Sequence, residues 1–588
     1  MCGIAGVWRR DGTPPAEAAL DALTAALGHR GPDGGGRHRA GGLALVQTRL
    51  AIIDLAGGDQ PLFGPEGTVL VANAEIYDYI EQRAALGAER FATGSDCEVA
   101  LHLYHRDRLR YAEALRGMYA IALYDPRANR LLLSRDPFGI KPLYYVEDAD
   151  GIAFASEPQA LIAAGLAGRS LVARARDELL QLQFTTGRET VFEGVKRVLP
   201  GETLVVSQGR IVERLRRDAL PEGGPADWTE AEALRRLDAA LVDSVTVHQR
   251  ADVPYGMFLS GGIDSATLLA AMARTSARDL RAYTVGFPGS AAHDERDHAR
   301  VLAKAVRAEH VEIAFDEGDF WALLPEAAAA LDDPVADYAA LPSYKLAAAA
   351  ASEVKVVLTG EGGDELFAGY GRYRSATRPW WRGGKAFRRR GLIEGLGLLR
   401  DPRPGWRDGI AAAEALAARP GRSRLQVLQA VDCADWLAHD LLAKVDRCLM
   451  AHGLEGRTPF LDPAVAEVAF RLPDRLKIER GLGKWLLRRW LDECLPEARP
   501  FARKRGFTVP VGEWIADAPA RLGSLVAAAP GVAEICAPEA VVALYRAPSD
   551  KRRGFAAWLL LFYALWHRRH ILGAPPTGDV IETLSTPA

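Results

Sequence analysis

Cys2, in the opening run Met1-Cys2-Gly3-Ile4-Ala5-Gly6, puts a thiol and, once the initiator Met is removed, a free α-amine on one residue. That pair is a nucleophile with its own base. A thiol of ordinary pKa ~8.5 is scarcely ionised at neutral pH, and an amine near ~8 accepts its proton through a short water bridge. Three further residues complete an amide-cleaving set. Arg49, in QTRLAIID, has the fork to bind a carboxylate by two parallel hydrogen bonds, and Asp96, in TGSDCE, can pair with an ammonium group. Asn73, in VANAEIY, can give an oxyanion its side-chain N–H, with the N–H of Ala74 as a second donor. Each has an ordinary alternative: a surface Arg, a helix N-cap, a turn Asn.

A second set begins at Ser260-Gly261-Gly262-Ile263-Asp264-Ser265, between the apolar run Tyr255–Leu259 and the helical run ATLLAAMA. Glycines let a backbone approach phosphate oxygens, hydroxyls and N–H groups cradle them, and the helix N-terminus adds a favourable field. Asp264 and Asp364, the latter in LTGEGGDELFAGY (358–370), are paired carboxylates of the kind that hold Mg²⁺ together with phosphate oxygens, with helix capping as the alternative.

Positioning these groups requires two kinds of scaffold. The first ~215 residues carry short β-like runs at Leu43–Val46, Thr68–Ala72, Tyr119–Leu123, Leu131–Ser134 and Gly151–Ala155, which reads as layered sheets. The stretch LPEGGPAD marks a boundary, and Thr229 can cap the helix that follows. Beyond it, strands at Tyr255–Leu259, Arg281–Val285, His310–Ile313 and Val354–Leu358 alternate with helical crossovers, the pattern of a parallel sheet with its ligand at the carboxyl ends. Past Tyr370 the chain reads as almost wholly helical. The expected division is 1–215, a linker 216–228, 229–572 and a tail 573–588.

The first half resembles the class II glutamine amidotransferase domain through MCGIAG, HRGPD (29–33), RLAIIDL, NAEIY, TGSDCE, SRDPFGIKPLYY (134–145) and FASE (154–157), in order and spacing. The resemblance implies an N-terminal-nucleophile αββα sandwich in which Cys2 attacks the glutamine amide. It also implies that Arg49, Asn73, Glu75 and Asp96 hold glutamine, and that Asn73 with the Ala74 N–H stabilises the oxyanion. Ala74 stands where that family usually has Gly, so a positive φ there would cost roughly 1 kcal/mol or more and slow hydrolysis. Position 78 is Asp where Asn is common.

SGG-x-DS resembles the PP-loop of ATP pyrophosphatases, which cleave ATP between the α and β phosphates. From Glu232 to about Arg569 the chain is similar to the synthetase domain of glutamine-hydrolysing asparagine synthetases, a doubly wound parallel-sheet fold with a helical C-terminal part. TVGFPGS (284–290), DERDHAR (294–300), KVDRCLMAHGLEGRTPFLD (444–462), GKWLLR (483–488) and KRGFTVPVGEW (504–514) carry that likeness. It implies that Leu259, Ser260, Gly261, Gly262, Asp264, Ser265, Val285, Thr359 and Gly360 bind ATP. Glu361 then assists adenylate formation, and Lys484 neutralises phosphate or intermediate charge, with an exposed helical Lys as the alternative. The implied reaction is asparagine synthesis from aspartate, ATP and glutamine, with NH₃ crossing a largely apolar channel. The alternatives are amidation of another carboxylic acid, since the region Leu331–Pro342 is common to a broad branch, and an impaired homologue with a regulatory role.

Composition agrees with that chemistry. Hydrophobic residues make up 49% and charged residues 25%, and the net charge of −3 gives no general attraction to nucleic acid or anionic membrane. The six cysteines are scattered, which points to a reducing cytoplasm, and no secretory leader precedes Cys2. The apolar run Phe555–Trp566 is too short for a bilayer of ~30 Å and reads as a buried helix. The Arg- and Trp-rich segment 379–392 reads as a solvated helical face, with an anion site as the alternative. A homodimer is compatible with the reading.

Overall fold

The computed structural model describes residues 2–276, 278–290, 294–502, 509–518, 520–546 and 550–587. Met1 and residues 504–508 of the KRGFTVPVGEW stretch lie outside them. The strands are β1 (Cys2–Arg9), β2 (Gly34–Ala40), β3 (Leu43–Arg49), β4 (Leu62–Phe63), β5 (Val69–Ile76), β6 (Gly117–Asp125), β7 (Arg130–Arg135), β8 (Tyr144–Glu147), β9 (Gly151–Ala155), β10 (Lys196–Arg197), β11 (Glu202–Ser207) and β12 (Arg210–Arg216). They form two six-stranded antiparallel sheets, ordered β10-β8-β9-β1-β3-β2 and β12-β11-β7-β6-β5-β4.

Alternation along the strands explains why these sheets stack. Ile4, Leu45, Val71, Ala122, Leu133 and Leu204 point inward and meet as one fully buried core between the sheets. Each buried Ile, Leu or Val there stabilises the fold by about 1.5–3 kcal/mol. The intervening residues face outward: Ala5, Val7 and Val46 cover Leu20 and Leu23 of the helix Glu17–Ala26, and Leu70 and Ala72 pack on Leu101 of the helix Glu98–Asp107. The layers therefore run helix, sheet, sheet, helix.

Thr229 does cap the next helix, Glu230–His248, accepting from the Glu232 N–H at 3.2 Å. The strands β13 (Tyr255–Phe258), β14 (Arg281–Gly286), β15 (Glu309–Ala314), β16 (Val356–Leu358) and β17 (Glu455–Arg457) then form a parallel sheet ordered β15-β14-β13-β16-β17. Met257 and Leu358 pack on one face with Leu268 and Leu269, while Val285 and Val357 pack on the other with Leu324 and Leu341. The chain moves outward through β14 and β15 and returns to β16 on the far side of β13, so a crevice opens at the carboxyl ends of β13 and β16.

Two expectations change. β17 lies inside the region that reads as helical, because EGR is too short and too polar for a pattern argument, and its burial comes from pairing with β16. The segment 379–392 is not a solvated helix: apart from a turn at Trp380–Arg382 it has no helical residue, and Arg388 is drawn inside to pair with Asp432 at 3.0 Å and stack on Trp436. The run 555–566 is indeed buried, in the helix Lys551–His570, whose Trp558 and Trp566 indoles donate to Ala336 and Leu331 carbonyls. Among the described residues no helix is long and apolar enough to cross a membrane.

Candidate active sites

Cys2 opens β1 opposite Arg49 in the β1–β3 register, and Ile4 lies opposite Gln47. Paired residues share a sheet face, so Cys2, Gln47 and Arg49 all point with Ile4 into the slot between the sheets. Asn73 and Glu75 follow Val69 and Val71 on the inner face of β5 and reach the same slot from the other side. The Cys2 backbone nitrogen donates to Asn73 Oδ1 at 3.1 Å. This orients the amide, and among the described residues Asn73 Nδ2 is a buried donor without a partner. Burial pushes the Cys2 thiol above its ordinary pKa.

The edge of β5 turned away from β6 supplies the second donor. Ala72 N–H donates to Gln60 Oε1 at 2.6 Å, Ile76 N–H to Asp96 Oδ2 at 2.7 Å, and the Cys97 thiol to Ala74 O. Backbone groups alternate along a strand, so the Ala74 N–H points to this same edge. Ala74 is not among the residues of positive φ. The expected strain is absent, because the residue sits in regular strand opposite Tyr119 and its methyl group meets no backbone restriction.

Arg49 directs its fork at the loop that follows it: Nη1 bonds Leu55 O and Asp59 Oδ1 at 2.8 Å, and Nη2 bonds Asp54 O at 2.6 Å. Asp96 is buried, which raises its pKa to about 6 against the pull of the Ile76 N–H. Glu75 is held from the other half of the chain. Arg457 Nη2 donates to Glu75 Oε2 at 2.7 Å, while its Nε bonds Glu455 and its Nη1 bonds the carbonyls of His248 and Arg250. Position 78 begins the helix Tyr79–Leu86, where Asp78 accepts from Gln82.

The second site fills the crevice beyond β13 and β16. Ser260 and Ser265 lock the turn through a 3.0 Å hydroxyl contact and a 3.1 Å bond from Ser260 N–H to Ser265 Oγ. Gly261 N–H already binds a carboxylate oxygen, Glu295 Oε2, at 3.2 Å, so the turn accepts anions. A cavity of about 490 Å³ is lined by Leu259, Ser260, Gly262, Asp264, Ser265, Val285, Thr359, Gly360, Glu361 and Asp364. Gly261 is not part of that lining; its N–H is reached through Glu295, which is.

Lys484 is 1% exposed, which rules out an exposed helical role. It caps the helix Trp485–Cys494 from a left-handed conformation, φ 58°, and sets its ammonium between Asp264 and Asp364, 2.7 Å from the latter. Burial opposes its charge, but the two carboxylates outweigh this and raise its pKa. A Cβ at Gly369 would stand 1.8 Å from Asp364 Oδ1 and 2.2 Å from Lys484 Cε, so this contact needs glycine there.

Three functional groups escape the sequence reading. Lys444 and Asp337, both lining the cavity, form a 2.7 Å ion pair. Glu361 lies beside them: burial lifts its pKa and Lys444 opposes that rise. Arg457 sits within a motif that carried family likeness but no assigned role. By contrast, Asp332 and Asp333 of the 331–342 region serve the contact between halves, where Asp332 accepts from the Gln159 N–H at 3.1 Å and Asp333 pairs with Arg197 at 2.8 Å. Arg30 likewise bridges Glu157 and Asp446. All six cysteines are free thiols, and Cys448 donates to Ala340 O.

A family model for the glutamine amidotransferase domain matches residues 1–215, and one for asparagine synthase matches residues 236–568. The chain is 35% identical to a putative glutamine-hydrolyzing asparagine synthetase of Mycobacterium tuberculosis, over 96% of this chain and 97% of that protein. It is 33% identical to asparagine synthetase 1 of Bacillus subtilis, over 88% of each. It is 30% identical to asparagine synthetase B of Escherichia coli, over 88% of this chain and 83% of that one. With both matches adjoining and these relatives spanning most of its length, the chain belongs to the glutamine-hydrolysing asparagine synthetase family, ligases that take their amide nitrogen from glutamine.

Proposed function

We propose that this chain converts aspartate to asparagine in two linked steps, with glutamine as nitrogen donor and ATP as activator. In the first site, assigned to an N-terminal-nucleophile unit of residues 1–215, Cys2 attacks the glutamine carboxamide after Met1 is removed. Asn73 Nδ2 and the Ala74 N–H receive the oxyanion. Arg49 exchanges the exposed Asp59 carboxylate for that of the substrate, and Asp96 with Glu75 takes the α-ammonium. The ordinary strand backbone at Ala74 removes the one feature that favoured an impaired homologue.

In the second site, assigned to a PP-loop unit of residues 229–572, the 260–265 turn and Thr359–Gly360 hold ATP while Lys484 offsets phosphate charge. Asp264 and Asp364 suit Mg²⁺: two hard carboxylates beside an anion-binding turn are the donor set this ion takes when phosphate oxygens complete its shell. Among the described residues no group of three acidic, His or Cys side chains is arranged to hold a metal ion by itself. When bound, Mg²⁺ would supply charge neutralisation to the phosphates. Glu361 orients the acceptor, whose carboxylate displaces pyrophosphate to give an acyl-adenylate.

The observation that carries the reading is Arg457. Its guanidinium bonds Glu75 in the first site, and its carbonyl accepts from Thr359 N–H in the second at 2.8 Å, so both sites share a wall. Aspartate is supported by the Lys444–Asp337 pair, which offers one ammonium and one carboxylate to an α-amino acid. Ammonia then crosses between the halves past Met118, Tyr77, Phe138 and Ile140, shielded from water. The test is pyrophosphate release with aspartate against a panel of carboxylic acids. Aspartate is expected to give the highest kcat/KM; preference for another acid would move the acceptor assignment, and no stimulation by any acid would overturn the synthetase reading.

A further inference from the structure

Gln47 is 1% exposed, yet among the described residues neither its Oε1 nor its Nε2 has a hydrogen-bond partner. A buried amide with both ends unmet is costly and calls for a ligand. The β1–β3 register places Gln47 diagonally across from Cys2 on the inner sheet face, in the slot that Asn73 enters from β5. The Cys2 thiol also feels this amide: burial pushes its pKa up and the Gln47 side chain pulls it down. The slot thus holds a second unpaired amide besides Asn73 Nδ2, and the oxyanion needs only the latter and the Ala74 N–H.

We propose that Gln47 is a catalytic residue of glutamine hydrolysis, its Nε2 donating to Cys2 Sγ and its Oε1 accepting from the carboxamide nitrogen that departs as ammonia. This rests on the glutaminase assignment above. The Sγ–C bond forms and the C–N bond breaks. The thiol proton passes to the Cys2 α-amine and from it to the departing nitrogen, which leaves as NH₃, so Gln47 exchanges no proton. Its part is geometric: one rigid amide fixes nucleophile and leaving group on opposite ends, where a near-attack arrangement requires them.

The test compares wild type with Gln47→Leu on two substrates, glutamine and glutamate γ-methyl ester, whose leaving group has no N–H for Oε1 to accept. The expected result is a loss on the order of 10- to 100-fold in kcat on glutamine and a loss at least about threefold smaller on the ester, with ammonia-dependent synthesis unchanged. Equal losses on both substrates, as a purely structural role would give, or no loss on glutamine, overturn the proposal. If Gln47→Leu loses ammonia-dependent synthesis through misfolding, Gln47→Met, nearer in volume, is read by the same ratio. A wild-type enzyme that does not hydrolyse glutamine would sink the glutaminase assignment itself, a result distinct from an unaffected Gln47 variant.

Discussion

Arg457 and Glu75, 382 residues apart in sequence, meet at 2.7 Å with both side chains almost wholly removed from solvent. Glu455 bonds the same guanidinium, so one cation holds two carboxylates. Burial first, and then Glu455, push the Glu75 carboxyl well above its ordinary pKa, with Arg457 opposing. Replacing Arg457 with Met removes the guanidinium that bonds both buried carboxyl groups. The expected cost is about 3–5 kcal/mol, read as a fall in the denaturant midpoint; a change below about 1 kcal/mol would contradict the pairing.

Cys2→Ala is expected to abolish glutamine-dependent product while sparing synthesis from added ammonia, since Cys2 does not line the cavity proposed for ATP. Loss of the ammonia reaction in that variant would count against separate sites. Asp364→Ala should stop synthesis from both nitrogen sources.

Lys484 is buried between Asp264 and Asp364. Lys484→Met removes the charge and keeps the stem, and is expected to lower pyrophosphate release by about 10²–10³-fold. Glutamine hydrolysis measured without ATP should change less than about threefold, and parallel losses in the two assays would point to a folding defect instead.

Asp96 titrates at about 6 because burial disfavours its anion. Only the carboxylate attracts the substrate ammonium, so the KM for glutamine should be flat above pH 7 and rise as pH falls through 6, approaching about tenfold per unit. Bound ammonium favours the anion and would move the midpoint lower in the complex. The KM for glutamine in Asp96→Asn should be high and lose this dependence.

Ala74→Gly tests the backbone directly. With Ala74 in ordinary strand, glycine brings no relief and lowers stability by roughly 0.5–1 kcal/mol through chain entropy. Glutaminase kcat is expected to stay within about twofold, and a large gain would restore the strained oxyanion donor.

The sequence by itself determined the chemistry-bearing turns and their order. Cys2 beside its amine, the glycine-rich turn at 260–265 and the acidic turn at 360–364 are local devices, whose purpose depends on neighbouring residue types. The β-like runs that become β3 and β5 were equally legible, but the strand β1 was not legible in Cys2–Arg9, and which faces meet follows only once the sheets stack. Tertiary structure alone decided which distant charges meet. β17 is a strand only because β16 pairs with it, and Arg457 matters only because β17 delivers it to Glu75. Lys484 reads as a solvated helical Lys until the fold closes Asp264 and Asp364 around it, and Gln47 carries no reading of its own until two sheets seal it beside Cys2. The physical reason is common to all three: the field and desolvation that give a buried polar group its role come from partners tens to hundreds of residues away, which no local pattern encodes.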